Sequence, residues 1–165
     1  MPMTKEETLQ FLRDHDVPFE ITEHPAVFNM AEMAAVELPY PECDAKNLFV
    51  RDDRKRNRYL ITVVGTKRVD LKAFREQQGL RRLSFASDED LMHCLGLEPG
   101  SVTPLGILND EGRAVHVFLD EDFVRLGRIG VQPNDNTATV WIATDDLIRI
   151  LREHGNTVEV VPMQH

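Results

Sequence analysis

The sequence predicts an α/β fold of the α+β kind, in which helices flank a mixed, largely antiparallel sheet. Helix and strand patterns alternate along all 165 residues, and that length fits one domain. Hairpin-type turns outnumber connections long enough to cross over between parallel strands, which disfavours a doubly wound sheet. Neither an internal repeat nor a linker divides the chain. Residues 1–165 are therefore expected to form a single domain.

The first half of the chain is predicted to contain three helices, an extended segment and three strands. Thr4 with Glu7, and Asn29 with Glu32, are capping patterns that begin helices, whereas helices end at a glycine or before a proline. The predicted elements are a helix from Thr4 to near His15, an extended segment at 17–22, a helix from Asn29 that stops at the prolines of 38–41, a hairpin of 48–50 with 59–64, a helix at 70–78 closed by Gly79, and a strand at 82–85.

The second half is predicted to consist mostly of strands. Ser87 begins one helix, which Gly96 ends, and Thr144 begins another, which Gly155 ends. The remaining segments are rich in β-forming residues, and an Asn-Asp-Glu-Gly turn separates two of them. The predicted strands are 102–108, 114–119, 137–142 and 157–161.

The composition is typical of a soluble globular protein, with 42% hydrophobic and 28% charged residues. The first ten residues lack the basic stretch and apolar core of a signal peptide, and no run of eighteen apolar residues occurs. We therefore expect a cytoplasmic protein with no membrane partner. Only Cys43 and Cys94 are present, so neither a disulfide framework nor a cysteine zinc site is indicated.

Charge is distributed unevenly along the chain. The net charge of −9 disfavours a nucleic-acid ligand at first sight, because such binding depends on Lys and Arg. Between Lys46 and Arg82, however, twelve basic residues accompany four acidic ones, a balance of +8, and the rest of the chain carries −17. Such an asymmetry would orient a polyanion onto one face of the molecule. A solvated hairpin tip at 51–58 explains the same charges equally well.

The sequence lacks the motifs of several enzyme classes. It contains no G-x-S-x-G elbow, phosphate-binding loop or H-E-x-x-H pair, which disfavours a standard hydrolase, a kinase and a zinc enzyme. Its six histidines are scattered, and no two share a helix face at metal-ligand spacing. We therefore assign no metal site.

Three polar segments are candidates for a catalytic or ligand-binding role, and each also has an ordinary structural explanation. In 44–49 a lysine and an amide precede an apolar strand, so Lys46 either reaches a phosphate or an oxyanion or is a surface lysine at a strand end. The loop GSVTP at 100–104 either presents backbone N–H groups to a ligand or is a simple turn. The amides of 130–137 either line a cleft at the sheet edge or form an Asx-rich turn.

Five motifs occur in the order of one known family. They are KNLFVRD at 46–52, LSFAS at 83–87, G-x-x-x-P at 100–104, ILND at 107–110 and PNDNTATVW at 133–141. From about Glu23 to the C-terminus the chain resembles the YbaK and prolyl-tRNA-synthetase-associated editing family, particularly its free-standing alanyl-tRNA(Pro) deacylases. The resemblance implies the fold of that editing domain, a cleft for the aminoacylated 3′ end of proline tRNA, and no metal or organic cofactor. Prolyl-tRNA synthetase or an elongation factor is left open as a further partner.

The resemblance also assigns site residues. Lys46 matches the lysine that is essential in the family and Asn47 the amide beside it, so both are predicted to be catalytic. Many members of this branch carry His where this chain has Gln132, which forms hydrogen bonds but does not titrate near neutral pH. The predicted substrate-binding residues are Gly100, Ser101, Val102, Thr103, Pro104, Gln132, Asn134, Asn136, Phe28 and Met30. The predicted tRNA-binding residues are Arg51, Arg54, Lys55, Arg56, Arg58 and Arg81.

The predicted reaction is hydrolysis of an aminoacyl ester. A water attacks the ester carbonyl of Ala-tRNA(Pro) while Lys46 and amides of the 100–104 loop stabilise the negative charge. Two alternatives remain from the sequence. One is the same chemistry on seryl-, threonyl- or cysteinyl-tRNA, and the other is a non-catalytic module that binds tRNA or a synthetase.

Overall fold

The computed structural model describes residues 2–26, 29–33 and 36–163. Its helices are α1 (Lys5–Asp14), α2 (Met30–Met33), α3 (Leu71–Gln78), α4 (Asp88–Leu95), α5 (Asp122–Leu126) and α6 (Thr144–His154), with 3₁₀ helices at Pro41–Cys43 and Pro104–Asn109. Its strands are β1 (Glu20–Glu23), β2 (Ala45–Asp52), β3 (Arg58–Val64), β4 (Leu83–Phe85), β5 (Val115–Asp120), β6 (Arg128–Val131), β7 (Ala138–Ala143) and β8 (Val158–Val161). No helix in the described ranges is long and apolar enough to cross a membrane.

The strands form two sheets. Five strands lie in the order β4-β2-β3-β5-β8, and three in the order β1-β7-β6. Four of the six strand pairs are antiparallel, and the parallel ones are β3 with β5 and β5 with β8. The prediction of a mixed, largely antiparallel arrangement with flanking helices is confirmed. The division into two sheets was not predicted, because it depends on pairing between strands that are distant in sequence.

Side chains alternate between the two faces of the five-stranded sheet, and each face packs against its own core. Phe49 of β2 joins a cluster that includes buried residues of α1, α4 and α6. Val50, the next residue, joins a second cluster with Phe74 of α3. We call these two sides the α6 face and the α3 face. By the same alternation, Asn47 lies on the α6 face and Lys46 on the α3 face.

The helix caps predicted at α1 and α4 are confirmed, and the one at α6 is wrong by one residue. Thr4 Oγ1 accepts from the Glu7 N–H at 3.2 Å, and the Glu7 side chain accepts from the Thr4 N–H at 3.0 Å, which completes the capping box. Ser87 accepts from the backbone of α4 in the same way. Thr144 is the first residue of α6, and its hydroxyl donates to the Phe123 carbonyl at 2.7 Å instead of capping the helix.

The predicted strand at 102–108 is wrong. In its place Thr103 Oγ1 accepts from the Leu105 N–H at 3.3 Å and begins the 3₁₀ helix Pro104–Asn109. Pro104 has the fixed φ of a first helical residue and no N–H to offer a neighbouring strand. The segment is apolar because Leu105 and Ile107 are fully buried, and a short apolar run does not distinguish a strand from a buried helical turn.

Two elements, α5 and β6, lie where no element was predicted. They have five and four residues, too few to show a helical or strand period. Gly130 of β6 is required by packing, because a β-carbon there would lie 2.3 Å from Cζ3 of Trp141. The missing side chain lets the Trp141 ring of β7 cover the neighbouring strand.

Candidate active site

The predicted catalytic pair lies near the start of β2, where β4 leaves one edge of the strand uncovered. β2 pairs with β3 from Ala45 to Arg51, but with β4 only from Val50 to Asp52. Lys46 and Asn47 precede the part that β4 covers. Among the described residues no strand pairs with this edge from Ala45 to Leu48, beyond the bridge between Asp44 and Gly130 that precedes it, so backbone groups there are open to a ligand.

Asn47 connects β2 with the predicted substrate loop on the α6 face. Its Oδ1 accepts a hydrogen bond from Thr62 Oγ1 at 2.7 Å, and its Nδ2 donates to the Val102 carbonyl at 3.3 Å. The hydroxyl of Thr62 thereby determines which end of the amide faces the loop. Asn47 therefore orients the 100–104 loop against the sheet.

The 100–104 loop is fixed at its other end by Thr103. The Thr103 hydroxyl donates to the Gln132 carbonyl at 2.6 Å, and Thr103 is fully buried. Gly100 has a φ of +88°, a conformation that glycine adopts without strain. Exposure falls along the loop from partly exposed Gly100, Ser101 and Val102 to buried Thr103 and Pro104. The loop therefore joins β2 to the segment 132–136.

Two of the predicted substrate-binding amides carry buried oxygens that have no partner among the described residues. Gln132 Oε1 and Asn134 Oδ1 accept no hydrogen bond from the described residues. Asn134 has a φ of +60°, and its Nδ2 donates to Thr8 Oγ1 of α1 at 3.0 Å, which holds the amide from one end. Asn136 lies partly exposed in the same turn. Because an unsatisfied buried acceptor costs about 1–3 kcal/mol, the two oxygens are suited to accept from a ligand N–H or O–H.

Lys46 lies on the opposite face of the strand from Asn47. Its ammonium donates a hydrogen bond to the carbonyl of Lys67. Burial, and next the nearby Arg68 guanidinium, lower the pKa of Lys46. The structure therefore brings Asn47, the 100–104 loop and Gln132 together but directs Lys46 to the α3 face.

The carbonyl that holds Lys46 belongs to a turn that is fixed by buried ion pairs. Lys67 Nζ lies 2.8 Å from Asp120 Oδ2 and 2.7 Å from Asp122 Oδ2, and it donates to the Met163 carbonyl at 3.0 Å. Asp120 also accepts from the Val64 N–H at the end of β3 at 3.1 Å. The network fixes the turn after β3. The sequence did not indicate it, because Asp120 is 53 residues from Lys67.

Asp44 is a titratable group of this region that the sequence analysis did not single out. It is 8% exposed, lies two residues before Lys46, and forms a bridge with Gly130 of β6. Burial raises the pKa of its carboxyl to about 7, and a hydrogen bond from the Ala45 N–H offsets only part of that effect. The Asp44 carboxyl, with its raised pKa, therefore lies close to Lys46 at the point where β6 approaches β2.

The structure divides the predicted tRNA-binding residues into two groups. Arg51 and Arg58 both pair with Asp90, at 2.8 and 3.0 Å. Arg81 pairs with Asp53 at 2.6 Å. The other three are exposed at the tip of the β2–β3 hairpin, at the far end of β2 from Lys46, and none forms an ion pair with a described residue. They are Arg54, Lys55 and Arg56.

Two predicted substrate-binding residues precede β2 in the chain. Phe28 lies outside the described residues, and Met30 is the first residue of α2. Their predicted place above the substrate pocket stays a prediction. Within the part of the chain that the structure describes, no group of three or more His, Cys, Asp or Glu side chains is arranged to hold a metal ion.

Comparison with known proteins decides the family. The sequence model of the aminoacyl-tRNA editing domain matches residues 24–150. The chain belongs to the aminoacyl-tRNA editing domain family. Membership makes this editing protein an aminoacyl-tRNA deacylase, and the resemblance found in the sequence is confirmed.

Relatives of this editing protein match it over most of their length. Prolyl-tRNA editing protein ProX of Acetoanaerobium sticklandii is 34% identical over 159 residues, which cover 96% of this chain and 97% of that protein. Prolyl-tRNA synthetase associated domain-containing protein 1 of Mus musculus is 30% identical over 141 residues, 83% of each chain. A crystal structure of a candidate trans-editing enzyme for prolyl-tRNA synthetase matches 100% of this chain and 99% of that chain, with a TM-score of 0.71 at 18% identity. The predicted editing-domain fold is confirmed.

Proposed function

We propose that this editing enzyme hydrolyses mischarged proline tRNA in trans and that Ala-tRNA(Pro) is its substrate. The similarity to ProX, which extends over almost the whole of both chains, supports the choice of tRNA. The motifs at 46–52, 100–104 and 133–141, which resemble those of alanyl-tRNA(Pro) deacylases, support the choice of alanine.

Alanine is an error that a proline-binding site cannot exclude by size. A pocket large enough for proline also admits alanine, and missing methylene groups change binding by only about 1–3 kcal/mol. A second site that is too small for proline removes this error, because it hydrolyses the alanyl ester and spares the prolyl ester. The loop 100–104, whose Thr103 and Pro104 are buried, is the candidate floor of such a site.

The two unpaired amide oxygens are the observation that carries the proposal. Gln132 Oε1 and Asn134 Oδ1 are buried without a partner among the described residues, next to a loop that is bonded to both Asn47 and the backbone of Gln132. We assign these oxygens to the α-ammonium group of the aminoacyl ester, since hydrogen bonds from a charged donor are the stronger kind. A primary ammonium, as in alanine, offers three N–H donors, whereas the secondary ammonium of proline offers two. Either ammonium can satisfy two oxygens, so these contacts position the ester, and the choice of alanine over proline rests on the size of the site.

The reaction consumes one water. The water oxygen bonds to the ester carbonyl carbon, the bond between that carbon and the ribose oxygen breaks, and the ribose oxygen takes up a proton. Asn47 and the backbone N–H groups of the 100–104 loop stabilise the charge that develops on the carbonyl oxygen. Lys46, on the other face of β2, binds a phosphate of the 3′ end and so fixes the ester over the loop.

Deacylation of a panel of charged tRNAs tests the proposal. Ala-tRNA(Pro) is compared with Pro-tRNA(Pro), Cys-tRNA(Pro) and Ser-tRNA, using the wild type, Lys46→Ala and the matched variant Lys55→Ala at the hairpin tip. We expect a loss of alanine that depends on Lys46 far more than on Lys55, a single candidate phosphate contact at the tip, with proline retained on its tRNA. Equal activity of Lys46→Ala and the wild type contradicts the assigned site.

Gln132 favours one alternative, a non-catalytic module that binds uncharged tRNA or a synthetase. A glutamine cannot transfer a proton as a histidine can near neutral pH. In that case no charged tRNA in the panel is hydrolysed, while uncharged tRNA still binds. If turnover occurs without a preference for alanine, seryl-, threonyl- or cysteinyl-tRNA is the substrate instead.

A further inference from the structure

A second basic surface lies between α3 and β4, apart from the hairpin tip. It is a cleft of about 320 Å³ lined by Leu71, Lys72, Arg75, Arg82 and Leu83. Three of these five residues are cations, and none is acidic. We call this surface the α3–β4 cleft.

The cations of the α3–β4 cleft form no ion pair with a carboxylate of the described residues. Lys72 and Arg82 are exposed and Arg75 is half-buried. Of the acidic groups on or next to α3, the Asp70 side chain accepts from the backbone of the first helical turn, and Glu76 does not line the cleft. Like charges around a concave surface repel one another, and a polyanion that binds there relieves the repulsion.

The pairing of β2 and β4 places the α3–β4 cleft on the same face of the sheet as Lys46. Leu83 lies opposite Asp52 and packs in the core of the α3 face. Asp52 and Lys46 are six residues apart on β2, so they share this face and are separated by about 20 Å. One strand of a duplex carries a phosphate about every 3.4 Å of helix axis, so about 20 Å corresponds to about six phosphates of a stacked strand and to fewer of an extended one. A path from the cleft to Lys46 therefore matches the length of a short stretch of RNA.

An exposed aromatic side chain lies along that path. Phe85 is 62% exposed and pairs with Val50, which lies between Asp52 and Lys46 along β2. It lies two residues beyond Leu83 on β4 and therefore shares the α3 face. Basic grooves combined with exposed aromatic rings are the means by which proteins bind single-stranded nucleic acid, since every base can stack on a ring.

We infer that the α3–β4 cleft binds phosphates of the substrate RNA near its acceptor end, and that the single strand then passes Phe85 to reach Lys46. The inference rests on the proposed function, because it requires the ester to lie near Lys46. The α3–β4 cleft supplies affinity without sequence discrimination, as phosphate contacts do.

Two triple variants with the same change in net charge test the inference. Lys72→Gln/Arg75→Gln/Arg82→Gln removes the cations of the cleft, and Arg54→Gln/Lys55→Gln/Arg56→Gln removes those of the hairpin tip. Binding of uncharged tRNA(Pro) transcript is measured by fluorescence anisotropy over a range of salt concentrations. Circular dichroism and the thermal midpoint confirm that both variants fold, which we expect because the substituted side chains are exposed or half-buried.

We expect the cleft variant to bind at least about tenfold more weakly and to lose about 2–3 units of the slope of log affinity against log salt. The tip variant is expected to change both quantities less. A cleft variant that binds as tightly as the wild type, or a tip variant that loses more, overturns the inference. Because uncharged tRNA is the probe, this result is independent of turnover, and a failure of deacylation alone would instead count against the proposed function.

Discussion

The β2–β3 hairpin and the α3–β4 cleft are both basic in sequence, but the three unpaired cations at the hairpin tip have paired arginines beside them, whereas no basic residue that lines the cleft is paired with a described carboxylate. Around the tip, Asp90 binds two arginines and Asp53 binds a third. In the cleft, none of the three cations forms an ion pair with a described residue. The charge available to a polyanion therefore depends on ion pairs formed across the fold, and a count of charges along the chain does not give it.

The concave surfaces beside the two regions differ in whether carboxylates lie among the basic residues that line them. The tip borders a cleft of about 620 Å³ whose lining contains Arg56 and Arg58 together with Asp110 and Glu111. The lining of the smaller α3–β4 cleft contains no carboxylate. The larger cleft has a mixed charge, so size alone does not identify the surface that binds RNA.

Lys46 is the point that an RNA held by the α3–β4 cleft must reach, so its loss is expected to have the largest effect. We expect Lys46→Ala to lower kcat/KM for Ala-tRNA(Pro) by about 10²-fold, the loss that a misplacement of the reacting group by about 1 Å can cause. Steady-state deacylation measures the effect. Lys55→Ala, which removes one exposed candidate phosphate contact of the tip, is the matched control and should lower kcat/KM by less than about threefold. Equal losses in the two variants would remove the distinction between the regions.

Asp44 carries a buried carboxyl, and the cost of ionising it can be compared with the charge of the unpaired cations of the cleft. Its pKa of about 7 in the folded protein exceeds the ordinary value of 3.8, so the folded state binds this proton more tightly than the unfolded chain does. The free energy of unfolding therefore falls as pH rises from about 4 to about 7. We expect Asp44→Asn to stabilise the protein by about 3 kcal/mol more at pH 8 than at pH 5.

Chemical denaturation at the two pH values measures the effect of Asp44→Asn. The control is Asp110→Asn, which changes another buried carboxylate that accepts from the Val115 N–H and Asn156 Nδ2, both at 2.9 Å. Asp110→Asn is expected to destabilise at both pH values, because a neutral amide oxygen accepts these two hydrogen bonds more weakly than the carboxylate oxygen Oδ2 does. A stabilisation by Asp44→Asn that does not change with pH would show that its carboxyl titrates at an ordinary pKa.

The exposed ring of Phe85 allows the proposed RNA path to be tested through an apolar contact with a base instead of through a charge. If a base stacks on its ring, Phe85→Ala should weaken binding of uncharged tRNA by about 1–3 kcal/mol without changing the salt slope. Met92→Ala is the control, since Met92 is an exposed apolar residue that lines the larger cleft beside the tip. Anisotropy titration compares them, and equal losses of affinity would argue against a path along β4.

Removing the Asp90 carboxylate leaves the two arginines beside the tip unpaired, like the cations of the α3–β4 cleft. Of the predicted effects on tRNA binding, this one is the smallest. Asp90→Asn releases Arg51 and Arg58, so the affinity for tRNA should rise a few-fold and the salt slope should steepen by about 1–2 units. Glu89→Gln changes the net charge equally and releases neither arginine, because Glu89 forms no ion pair within the described part of the chain. Identical behaviour of the two variants would mean that the paired arginines already contact RNA.

The local features of the fold could be predicted from the sequence, and the non-local ones could not. The capping box of Thr4 and Glu7 and the hairpin of β2 with β3 depend on residues close in sequence. The assignment of β1, β6 and β7 to a separate sheet depends on Glu20 meeting Trp141, which no local pattern indicates. The strand predicted at 102–108 failed because burial on all sides produces the same apolar run as a strand.

The candidate site shows the same limit. The alternation of side chains along a strand is sufficient to predict that Lys46 and Asn47 lie on opposite faces of β2. The pairing of Arg51 with Asp90, 39 residues away, and the burial of Asp44 could not be predicted, because both depend on how distant elements pack.

The ratio of hydrolysis rates for Ala-tRNA(Pro) and Pro-tRNA(Pro) tests the central claim most directly. Each substrate, labelled in its amino acid, is incubated separately with wild-type enzyme, and the ester remaining is followed over time. We expect the alanyl ester to be hydrolysed at least about tenfold faster than the prolyl ester, the discrimination that one site can achieve by size and hydrogen bonding. Equal rates for the two esters, or no hydrolysis of either above the uncatalysed rate, would contradict the claim.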